Sequence, residues 1–121
     1  METSPVKTPY GIIYGRNALL IKEYKLNLTP MSVTISCALS LGCCKPVVLD
    51  MPDVDITFAF KNVRYISMYK LAHFPYETDT SSNFDKVDEG EDHDRYILST
   101  YDHVFDIAGD LEITGQDCNN P

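Results

Sequence analysis

The chain has 121 residues, 44% of them apolar, which suits one domain with a core of its own and excludes wholesale disorder. It carries 18 Asp and Glu against 10 Lys and Arg, a net charge of −8. That balance repels a nucleic-acid backbone and an anionic membrane surface, so neither is an expected partner, and it leaves a basic protein as the natural charged one.

Residues 1–9, with Pro5 and Pro9, read as a loose leader without the apolar run of a secretory signal. No later stretch reaches the roughly 18 to 20 apolar residues that span a bilayer, so the cytoplasm is the expected compartment. Residues 10–14, YGIIY, are a short apolar run suited to an edge strand, and Gly15-Arg16-Asn17 is a turn signal. In 18–28, Leu20, Tyr24, Leu26 and Leu28 share one strand face, which Lys22 interrupts. Turns on both sides favour a strand there over a helix.

The stretch 31–41, MSVTISCALSL, is the one around which the chain is organised. Met31, Val33, Ile35, Cys37, Leu39 and Leu41 alternate with Ser32, Thr34, Ser36, Ala38 and Ser40. Period-2 alternation predicts a long strand with one buried face. Cys43 and Cys44 sit in a turn, and Val47-Val48-Leu49 reads as a short buried strand. Residues 54–60 alternate again until Lys61-Asn62 breaks the phase, which predicts a hairpin or a bulge before 63–71.

Residues 77–94 change character. Eight of the 18 are acidic and Lys86 is the only base, so the segment is expected to be a long exposed loop. Residues 95–101 then read as a strand. Phe105, Ile107, Gly109, Leu111 and Ile113 alternate with polar or small residues, although Val104, Ile107, Ala108 and Leu111 also fit one helical face capped by Asp102. Gly109 inside that pattern would cost a helix about 1 kcal/mol against Ala. A strand is therefore preferred, with a short helix over 102–108 as the fallback. Residues 115–121 read as a loose polar tail.

The expected fold is all-β and mainly antiparallel, a small sandwich or barrel of seven to eight strands in a single domain over 1–121. The expected function is that of a small acidic non-catalytic interaction protein, inhibitor-like or immunity-like, that docks a basic partner through Asp85, Asp88, Glu89, Glu91, Asp92 and Asp94. Clustered carboxylates speed encounter with a basic surface by long-range attraction. Exposed strand edges also admit a homodimer.

Other chemistry finds weaker support. With Gly90 at the sixth position of a calcium loop, Val87 falls where an oxygen ligand is required and Tyr96 where the bidentate Glu belongs. His73, His93 and His103 are the residues a metal-dependent or hydrolytic enzyme would use, but no Gly-x-Ser-x-Gly or Cys-x-x-Cys spacing accompanies them. Cys37, Cys43, Cys44 and Cys118 are expected to be reduced thiols, and neither a cofactor nor a metal is expected. A ligand-binding barrel lined by Tyr65, Tyr69, Tyr76, Tyr96 and Tyr101 is the alternative to the docking protein.

Overall fold

The alternation at the centre of the sequence becomes β4 (Met31–Leu39). Val33, Ile35, Cys37 and Leu39 are buried, while Ser32, Thr34, Ser36 and Ala38 line the wetter face. The computed structural model describes residues 3–70, 72, 82–87, 94–100 and 102–115. Among these, eight strands join β4: β1 (Thr3–Pro5), β2 (Ile12–Ile13), β3 (Leu19–Leu28), β5 (Cys44–Lys45), β6 (Val54–Lys70), β7 (Phe84–Val87), β8 (Arg95–Ser99) and β9 (His103–Gly115). Seven form one antiparallel sheet in the order β1-β7-β8-β9-β6-β4-β3, and β2 pairs with β5 in a small ribbon. The protein is therefore all-β and antiparallel. The sheet does not close into a barrel.

Instead the sheet folds over on itself. Laid flat, β3 and β9 would lie three strand spacings apart, about 14 Å. The rings of Tyr24 on β3 and Phe105 on β9 are centred 5.9 Å apart. Phe58 on β6 likewise meets Phe84 on β7 edge-on at 4.8 Å, and Phe60 meets Tyr96 on β8 at 5.8 Å. The two layers of a sandwich-like fold thus share the long strands β6 and β9, and the apolar core lies between them.

The crease has a local cause. Lys61 pairs with Asp110 and Tyr65 with Ala108, so residues 62–64 stand against Gly109 alone. Extra residues on one strand bend it and sharpen its twist. Asn62 takes a φ of 51°, the left-handed region that Asn tolerates. Across from it, a Cβ at Gly109 would lie 3.0 Å from the Lys61 carbonyl oxygen and 3.2 Å from the Val63 Cα. The phase break at Lys61-Asn62 is thus a bulge inside one strand.

Several expectations are corrected. The leader is not loose throughout: Thr3 pairs with Val87 and Pro5 with Asp85, and the Val6 N–H donates to the Phe84 carbonyl at 2.9 Å. Val47, Val48 and Leu49 form no strand and are exposed, because Pro46 has no N–H with which to extend the β2–β5 ribbon. The acidic segment 77–94 is not one loop, since Phe84 and Val87 bury themselves and carry β7 with them. Leu20 does not share the face of Tyr24. A bulge between Ile21 and Glu23 absorbs Lys22 and turns Leu20 to solvent. The strand preferred over a helix at 102–108 is present as the start of β9. Of the tail, residues 116–121 lie outside the described residues.

Candidate functional site

The acidic stretch is the connection of a hairpin. β7 and β8 are consecutive antiparallel neighbours, with Phe84 opposite Leu98 and Lys86 opposite Tyr96. Phe84 and Leu98 face the core and fix the register, since a slip of one residue would take one of them out of it. At the entrance to β7 the Ser82 Oγ accepts the Phe84 N–H at 3.1 Å, and its own hydrogen lies within reach of the Phe84 carbonyl and the Asp85 Oδ1.

Six carboxylates were expected to form one surface, and the structure divides them. Asp85 is only 1% exposed, held inside by Ser82, so it cannot contribute to a docking surface. The reason is strand parity: Asp85 follows Phe84, whose side chain enters the core, and so projects to the opposite face of β7, which is covered as well. Asp94 is half exposed, and its Oδ1 meets the Lys86 Nζ at 3.2 Å. Asp88, Glu89, Glu91 and Asp92 lie outside the described residues.

Asp94 is anchored by both its side chain and its backbone. Besides Lys86 it lies near the buried Tyr96, whose phenol feels its negative charge. That phenol is pushed up to about 12, first by burial and then by the negative charges of Asp94 and Asp110, which disfavour the phenolate. The Asp94 carbonyl accepts the N–H of Gly109 at 2.9 Å, which ties the foot of the hairpin to the crease of the sheet. Asp110, beside Gly109, accepts from the Asn62 Nδ2 at 2.8 Å, and Glu112 meets the Lys61 Nζ at 3.3 Å. The fold therefore brings Asp110 toward the acidic hairpin. Sequence reasoning missed this, because 16 positions separate Asp110 from Asp94 and only the bulge joins them.

On the other face of the same layer lies a buried ion pair that sequence reasoning also missed. The Arg95 Nε and Nη2 donate to the Asp106 Oδ1 and Oδ2 at 2.9 and 2.7 Å, and the Tyr65 hydroxyl reaches Oδ1 at 3.3 Å. The two charged side chains are 14% and 4% exposed. The signal was a lone acid in the run VFDIA, since a charge amid buried apolar neighbours needs a partner.

The residues weighed for other chemistry do not converge. Tyr96 packs into the core against Phe60 and Phe84, whereas Tyr65 and Tyr69 lie on the opposite face of the layer; Tyr76 and Tyr101 are outside the described residues. The same is true of His73 and His93, while His103 pairs opposite Lys70 with its ring near Phe105. Among the described residues no three His, Cys, Asp or Glu side chains are grouped to hold a metal ion. Cys37, Cys43 and Cys44 are free thiols, and Cys118 is outside the described residues. Burial pushes the Cys37 thiol up to about 12 and raises that of Cys44, so both are poor nucleophiles. No helix among the described residues is long and apolar enough to cross a membrane.

Fold and site together define an all-β domain with an acidic hairpin between two core strands. No protein-family model, curated protein or solved structure matches the chain.

Proposed function

We propose that the protein is a small non-catalytic interaction module that docks a basic macromolecular partner through the β7–β8 hairpin, as an inhibitor or immunity protein docks a basic enzyme. The observation that carries this reading is the charge of residues 88–94. Five of the seven, Asp88, Glu89, Glu91, Asp92 and Asp94, are acidic, and none is Lys or Arg. Asp88, Glu89, Glu91 and Asp92 alone account for four of the eight net negative charges. The strands on either side are set in the core, and Asp94 pairs with Lys86. A charge cluster on a fixed base keeps part of the ordering cost out of the binding step. The free thiols suit a reducing compartment, and we place the protein in the cytoplasm.

The test compares the wild type with a variant carrying Asp88→Asn, Glu89→Gln, Glu91→Gln and Asp92→Asn as baits in native lysate at low and high salt. The reading expects a basic protein retained by the wild type, lost by the variant and released by salt, because screening shortens the reach of charge attraction to about 8 Å at physiological ionic strength. Equal retention by both baits, or retention indifferent to salt, overturns it.

A further inference from the structure

Among the described residues, the sheet ends at β3 with no strand beyond it. β3 is the last strand of the seven and is ten residues long, against three for β1 at the other end. Its outward N–H and C=O groups are a template for another strand. Toward the far end of β3, Leu26 is 45% and Leu28 73% exposed, although both are on the face that Tyr24 turns toward the core. An apolar face running on past its cover, beside an edge that no described strand pairs, calls for a neighbour that supplies both backbone and side chains.

We infer that this neighbour is a second copy of the chain, added antiparallel along β3 about a two-fold axis at Tyr24. Charge complementarity selects the register. An axis at Glu23 would set Glu against Glu, and one at Lys25 would set Lys against Lys. An axis at Tyr24 sets Glu23 of each copy opposite Lys25 of the other, twice over. These two side chains already lie on one face, with the Lys25 Nζ 3.1 Å from the Glu23 Oε1 within a single chain. On the core side, Tyr24 meets Tyr24 across the axis. With Lys22 as the extra residue of the bulge, the same face continues as Leu26 opposite Ile21 of the second copy. Cross-strand pairs of this kind are the unit of sheet stability.

Because the contact is isologous, it closes at two copies. The joined sheet then has fourteen strands, and the edges left over are the short β1 strands. A dimer of this form also carries two acidic hairpins, which is independent of whether those hairpins bind a partner.

The experiment is sedimentation equilibrium of the full chain up to about 100 µM, a range in which micromolar association is measurable. The wild type should sediment as a dimer. Glu23→Lys and Lys25→Glu each turn two attractive cross-strand pairs into two repulsive ones, and each should weaken association by roughly fourfold or more. The double reversal restores opposite charges and should restore the dimer. Both sites are exposed on a strand surface, so far-UV circular dichroism should show the fold intact in all variants. A monomeric wild type overturns the inference and leaves the edge to a strand of another protein. A dimer indifferent to the single reversals, or one the double reversal fails to restore, overturns it too.

Discussion

Arg95→Met tests the energetic reading of the second layer. The substitution leaves the Asp106 carboxylate, 4% exposed, with the Tyr65 hydroxyl at 3.3 Å in place of a bidentate guanidinium at 2.7 and 2.9 Å. Removing one partner of a buried ion pair costs about 3–5 kcal/mol, because the remaining charge stays desolvated. Global stability of a domain this size is of order 5–15 kcal/mol, so the variant should lose a large part of it. Urea unfolding followed by far-UV circular dichroism measures the loss directly, and tyrosine fluorescence is a second probe because the chain has no Trp. Arg95→Met with Asp106→Leu is the control. It removes both charges at once and should recover most of the loss, since apolar replacements of a buried pair are often neutral. A cost below about 1 kcal/mol for Arg95→Met would refute the reasoning, for that is the range of solvated surface pairs.

Two further predictions concern the crease and its neighbour. Gly109→Ala would place a Cβ 3.0 Å from a backbone oxygen and 3.2 Å from the Val63 Cα, so it should destabilise by about 1–3 kcal/mol in the same urea assay, as overpacking does. A neutral result would show that the crease relaxes freely. Tyr96 gives a pH signature. Its folded phenol titrates near 12 against 10 for an ordinary one, so between these values the unfolded state binds fewer protons. The stabilisation is fully present below pH 10 and is lost as pH rises through 12. Tyr96→Phe should therefore flatten the alkaline fall in stability relative to the wild type. Equal slopes would show that the buried phenol does not couple to folding.

Much of the fold was legible because most strands here bury one face, and burying one face writes period 2 into the chain. β4 is the clearest example, and β9 outcompeted its helical alternative for the same reason. The failures also have physical causes. Val47, Val48 and Leu49 look buried by composition, yet hydrophobicity does not supply a strand with a hydrogen-bonding neighbour. Leu20 was assigned to the wrong face because parity counts from one end of a strand and a bulge resets the count. β7 was hidden because four residues are too few to show a period, and the acidic residues around it dominate the local composition. At the candidate site, the charge was readable and the inward turn of Asp85 was not, since parity relative to Phe84 matters only once Phe84 is known to enter the core. The Arg95–Asp106 pair joins residues on neighbouring strands, and one sequence does not state which strands are neighbours.

The four-fold neutralised hairpin also makes a prediction about stability, and that prediction decides how its binding result is read. Asp88→Asn, Glu89→Gln, Glu91→Gln and Asp92→Asn together take the net charge from −8 to −4 (four carboxylates removed). If these carboxylates serve an encounter surface, the folded state has no use for them, and removing like charges within five positions relieves repulsion. The variant should then be as stable as the wild type or slightly more so, with the difference shrinking as salt is added. The anchors at the foot of the hairpin, Lys86, Asp94 and Tyr96, are untouched. A melting temperature several degrees lower would mean that the carboxylates hold the hairpin together, and loss of a partner would then follow from loss of structure. An unchanged or raised melting temperature, paired with loss of a basic partner, assigns the charge of residues 88–92 to recognition.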